Sequence, residues 1–123
     1  MEFAKSVNVL GTEYKIEQHK ISEDEVMKKN SYAGYCADIA KLIVYADTTE
    51  DEYFPDMDEA ERKLYSIRTM RHEIIHAFLN ESGLGDSANA SPGAWSKNEE
   101  MVDWFAIQSP KIFKAFEEVG CFE

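Results

Sequence analysis

Apolar and polar positions alternate along Val7 to Gln18 (VNVLGTEYKIEQ), with Tyr14 and Ile16 on one side and Glu13, Lys15 and Glu17 on the other. That period of two predicts a half-buried strand, with Gly11 marking a turn or bulge inside it. Ser22, with Glu25 three residues on, fits a capping box and predicts a short polar helix over 22–29. Lys41 to Ala46, inside AKLIVYAD, is β-branched and apolar and predicts a strand pairing with the first. From Ala60 to Asn80 the period lengthens: Ala60, Leu64, Ile67, Ile74 or Ile75, Phe78 and Leu79 recur at helical spacing. Asp56 or Asp58 is the expected cap of that helix, and Gly83 its stop. The stretch from Gly83 to Lys97 reads as a loop. Met101, Val102, Phe105 and Ala106 predict a second helix starting near Ser96–Asn98. Ser109-Pro110 reads as the restart of a third, with Ile112, Phe113, Phe116 and Val119 as its apolar face and Gly120 as its end. Trp95, Trp104 and Phe105 are read as core. The expected fold class is α+β, a small antiparallel β element packed on three helices.

Length and composition fit one domain spanning residues 1–123, with 44% hydrophobic and 30% charged residues. Two cysteines, Cys36 and Cys121, form no CxxC pair and read as reduced thiols. No apolar run approaches the roughly 18 residues of a membrane span, and MEFAKSVNVL lacks the pattern of a signal peptide. A soluble cytoplasmic protein without membrane contact is expected. The net charge of −11 argues against nucleic acid, which calls for a basic footprint. Eight acids crowd Asp47 to Glu61, which reads as a solvated face leading into the acid-rich first turn of a helix.

The chemistry lies in His72-Glu73-Ile74-Ile75-His76. Two histidines four apart share one helix face, so both imidazoles can reach a single ion. Glu73 sits about 100° round from His72, where it can bond a metal's water without ligating the metal. This is the H-E-x-x-H arrangement of zinc hydrolases. A catalytic zinc needs a third protein ligand and an open position for water. Asn98-Glu99-Glu100-Met101-Val102-Asp103 supplies the carboxylates, with Glu99 preferred over Glu100 and then Asp103. Glu99 and Asp103 share a face, so Glu99 can take the metal while Asp103 accepts the N–H of a ligating histidine. Against this stands Ser96-Lys97-Asn98-Glu99, itself a capping box that would tie Glu99 to the Ser96 backbone. His19 reads as a surface histidine. Tyr65, Tyr53, Arg68 and His19 are candidate oxyanion donors, and the strand at Lys41–Ala46 is a candidate edge for an extended peptide.

HEIIH with NEEMVDWFA some twenty residues later resembles the gluzincin arrangement of HExxH plus a downstream ExxxD. More narrowly it resembles the ImmA/IrrE-type metallopeptidase-like proteins, through Glu99, Val102, Asp103, Phe105 and Ala106, and GYCADIAKLIVYAD is similar to a strand-forming stretch of that family. Val102 and Asp103 stand where that family's second motif has an Ala-Asn pair. The resemblance spans roughly Gly34 to Ile112 and has the compact layout of small phage and prophage members. It implies a zincin-like core, a zinc cofactor (Zn2+) held by His72, His76 and Glu99, and peptide-bond cleavage with Glu73 as general base. It also implies a protein or peptide substrate, which in larger members is a repressor-like regulatory protein. The alternative is a catalytically silent, zinc-stabilised acidic protein that binds a host or regulatory protein partner. The intact Glu73 favours the enzyme, because a purely structural site needs no base there. Nothing in the sequence sets an oligomeric state.

Overall fold

The fold is described from a computed structural model over residues 3–84 and 95–122. The first apolar alternation is two strands, β1 (Ser6–Val9) and β2 (Thr12–His19), paired antiparallel with Val9 opposite Thr12. Leu10 and Gly11 form the two-residue turn, both with positive φ (51° and 92°), as the right-handed twist of a tight hairpin requires. The Asn8 side chain accepts from the Gly11 N–H at 2.9 Å and fixes that turn.

Helix α1 (Glu25–Asn30) follows a single 3-10 turn at Ile21–Glu23. Its cap is Asp24, which accepts from the Met27 N–H. Ser22 does not cap it; the Ser22 hydroxyl donates to Glu50 at 2.6 Å. Two further strands, β3 (Gly34–Ala37) and β4 (Leu42–Ala46), make a second antiparallel pair. β4 lies parallel to β2, with Ile16 opposite Ile43, because α1 and β3 intervene and return the chain in the same direction. The sheet order is therefore β1-β2-β4-β3, mixed and not antiparallel throughout. β4 is paired on both sides and has no free edge; the edge beside it belongs to β3.

Helix α2 (Glu59–Glu81) covers one face of this sheet and α3 (Glu99–Val119) packs against α2. Asp58 caps α2 in a full capping box with Glu61. One core cluster joins Val9, Tyr14, Ile16, Ile43 and Tyr45 of the sheet to Met70 and Ala77 of α2. A second, with Ile21, Met27, Val44, Ala46 and Phe54, fills the opposite face. Both faces being covered explains why β4 reads LIVYA without alternation. α2 turns inward Met70, Glu73, His76 and Ala77, while Leu64 and Phe78 of the expected stripe are exposed.

The break expected at Ser109-Pro110 does not occur. α3 runs through Pro110, which gives up a single main-chain bond toward Ala106, and closes at Gly120 in the left-handed region. Val102 and Ala106 are buried, but Trp95, Trp104 and Phe105 are exposed, so these aromatic residues are not core. Most of the loop expected over Gly83–Lys97 lies outside the described residues. Among the described residues, no helix is long and apolar enough to cross a membrane.

Candidate metal centre

His72 and His76 occupy successive turns of α2, and the ring nitrogens that face each other, both Nε2, are 3.1 Å apart. Their outer nitrogens are both engaged. His72 Nδ1 is 2.6 Å from an Asp103 carboxylate oxygen, and His76 Nδ1 is 2.7 Å from the Ser96 carbonyl oxygen. The Ser96 carbonyl and the Asp103 carboxylate accept, so each Nδ1 donates outward and each ring turns its Nε2 inward. Glu99 completes the group: its two oxygens lie 2.7 Å from His76 Nε2 and 3.4 Å from His72 Nε2. Two imidazole nitrogens and a carboxylate thus converge on one point, a donor set that a cation stabilises.

The separation suits one ion. Two nitrogens each about 2.0–2.1 Å from a tetrahedral zinc stand roughly 3.3 Å apart. The donor set of two imidazoles and a carboxylate is also one that zinc accepts in open sites. Ligand atoms of His72, Glu73 and His76 lie within 4.8 Å of one another.

Local sequence explains how α3 delivers its acids. Asn98, not Ser96, caps α3 by accepting from the Met101 N–H at 2.9 Å. Glu99 is thereby free of the capping box and turns to the histidines. Asp103, one turn on, reaches the back of His72. Glu100 makes no contact with either imidazole. Ser96 is fully buried in a 3-10 turn, Trp95–Lys97, and its main chain, not its side chain, orients His76.

Glu73 is buried, with its carboxylate toward β3. Burial, reinforced by the charges of Glu99 and Asp103, pushes its pKa up to about 8. No cation among the described residues pairs with it, neither Arg68 nor Arg71. Gly34 of β3 is what admits it. A Cβ there would stand 2.6 Å from Thr69 Cγ2, 2.9 Å from the Val44 carbonyl oxygen and 3.3 Å from Glu73 Oε2. Burial lowers the pKa of His76 and His72 adds to this, against the opposing pull of Glu99 and the Ser96 carbonyl.

These groups line a cleft of about 910 Å³ between β3, α2 and α3, whose walls include Tyr35, Cys36, Tyr65, Arg68, Asn80 and Lys97. Tyr65 and Arg68 of the candidate oxyanion donors line it; Tyr53 and His19 do not. His19 is instead bound between Asp24 (2.6 Å) and Glu17 (2.8 Å), in a separate network that also takes the Tyr35 hydroxyl. Burial raises the Cys36 thiol to about 12, which keeps it protonated and inert. Sequence reasoning missed β3, the Ser96 carbonyl and Asn80. The i+4 series Arg68, His72, His76, Asn80 was the available signal for Asn80. No family model, curated protein or solved structure matches the chain.

Proposed function

We propose that the chain is a zinc-dependent peptidase with a zincin-like core, in which His72, His76 and Glu99 hold the metal and Glu73 is the general base. The observation that carries this reading is the pair of outward Nδ1–H bonds, to Asp103 and to Ser96, which turns both Nε2 atoms to one point beside the Glu99 carboxylate. When bound, the metal supplies Lewis acidity toward a carbonyl and lowers the pKa of its water from about 16 toward roughly 7.

The chain's own residues do the rest. Glu73 accepts a proton at its carboxylate and delivers it to the leaving amine. Its burial keeps that carboxylate desolvated, and the charge of a bound cation would favour the ionised form that takes the proton. Asp103 holds the His72 ring in one tautomer, as the Ser96 carbonyl does for His76. Peptide is the substrate class because, among the described residues, β3 is the terminal strand of the sheet and flanks the cleft, offering a main-chain edge to an extended chain. That role passes from Lys41–Ala46, whose strand is interior, to Gly34–Ala37.

The test is metal content with activity. Purified protein should carry about one zinc per chain, and His72→Ala or His76→Ala should lose it. Asp103→Ala should bind zinc roughly 10–100-fold more weakly. Glu73→Gln should keep the metal and lose hydrolysis of a casein or quenched-peptide substrate. A zinc-loaded wild type with no hydrolysis favours the silent binding protein, and a metal-free wild type that refuses added zinc removes both readings.

A further inference from the structure

We propose that the cleft selects peptides bearing an acidic side chain a few residues from the bond held over the imidazoles, and that Arg68 recognises it. This rests on the peptidase reading of the same site and adds its substrate class.

The cleft's charges separate into occupied and open ones. Glu99 and Asp103 are both taken up by the histidines. Arg68 and Lys97 line the same cleft, and among the described residues neither has an ion pair. Apart from Glu73, which is buried against β3, the charged side chains of the cleft that the histidines leave open are cationic, in a chain with 24 acids and 13 bases. Along α2 no acid competes for Arg68, since the residues three and four away on either side are Leu64, Tyr65, Arg71 and His72. A guanidinium offers paired donors in a fixed fork, matched to a carboxylate.

Spacing sets the position. Arg68 lies one turn before His72, about 6 Å along the helix, and side chains tilt further toward the helix N-terminus. An extended peptide advances about 3.3 Å per residue, so the guanidinium meets a side chain about two or three residues from the scissile bond. At the other end Asn80, one turn past His76, has its Oδ1 buried and, among the described residues, without a partner. Arg68 to Asn80 spans about 18 Å of helix, room for about five residues of extended chain. Acids elsewhere on the surface repel such a substrate only weakly at physiological salt, because the screening length is about 8 Å.

The experiment uses internally quenched octapeptides with a neutral Ala/Ser/Gly frame, one Glu walked through every position, and matched Gln and Lys sets. Zinc-loaded wild type is compared with Arg68→Ala, Arg68→Lys and Arg68→Glu. At one position Glu should exceed Gln about tenfold in kcat/KM; the ratio should fall to about one in Arg68→Ala, survive in part in Arg68→Lys and invert toward Lys in Arg68→Glu. Cleavage with equal Glu and Gln rates at every position overturns the proposal and leaves the peptidase reading standing. So does a preference that persists in Arg68→Ala. If wild type cuts none of the peptides, the peptidase reading falls. The same peptides, fluorescein-labelled, then decide on Arg68 by anisotropy: a Glu preference abolished in Arg68→Ala upholds the recognition, and equal or absent binding overturns it.

Discussion

Replacing Glu73 by Gln in the metal-free protein should stabilise it, and increasingly so as pH rises. The carboxyl group is raised from 4.5 to about 8 in the folded state, chiefly by burial and then by Glu99 and Asp103. Between those two values the unfolded chain has released the proton while the folded chain still holds it. Folding is therefore penalised progressively from pH 4.5 upward, and the full penalty is reached only above about pH 8. At about 1.4 kcal/mol per pH unit the shift amounts to about 5 kcal/mol at most, and relaxation with water entry brings the expected figure to about 2–5. A Gln of the same shape carries no such penalty. Urea titrations in EDTA at pH 5 and pH 8.5, followed by far-UV circular dichroism, measure it. The advantage of Gln should be small at pH 5 and several kcal/mol at pH 8.5, and zinc should narrow it by favouring the ionised carboxylate. A gap between the two proteins that is the same at both pH values would refute the assignment of Glu73 as a desolvated acid.

Two further perturbations probe the scaffold. Gly34→Ala should destabilise by about 1–3 kcal/mol in thermal melts, since the added methyl meets Thr69 on α2 and the Val44 carbonyl of the neighbouring strand at once. Adding Thr69→Ser should recover part of the loss, and an unchanged melting temperature in Gly34→Ala would show that β3 and α2 are not so closely apposed. Asp24→Asn tests the second network. Burial raises Asp24, but His19, the Met27 N–H and Tyr35 bring it below 3.8; burial lowers His19, but Asp24 and Glu17 lift it above 6.5. The pair's contribution is thus greatest between pH 3.8 and 6.5, lost as pH falls through the Asp24 value and fades as pH rises through that of His19. Wild type should exceed Asp24→Asn by about 1–2 kcal/mol at pH 5.5 and by less at pH 9, as read by denaturant titration.

Local pattern alone determined much of this molecule. Alternation placed β2 and the run of apolar residues placed β4; capping and glycine termini bounded α2 and the end of α3; the spacing of His72, Glu73 and His76 put both imidazoles on one face. These features rest on interactions within a few residues, which a sequence carries directly. Tertiary structure decided the rest. Parallel pairing of β2 with β4 depends on the path of the intervening 22 residues, and Gly34 matters only because α2 lies against it. Leu64 and Phe78 are apolar at helical spacing and Trp104 reads as core, yet all three are exposed, because exposure follows from what stands opposite a side chain, not from its own hydropathy. Glu99 had two plausible roles in one dimension, a capping box with Ser96 or a partner of the histidines. The packing of α3 along α2, with Asn98 as the cap, selected the second. Only that packing brings a carboxylate and two imidazole nitrogens, from positions more than twenty residues apart, to one point.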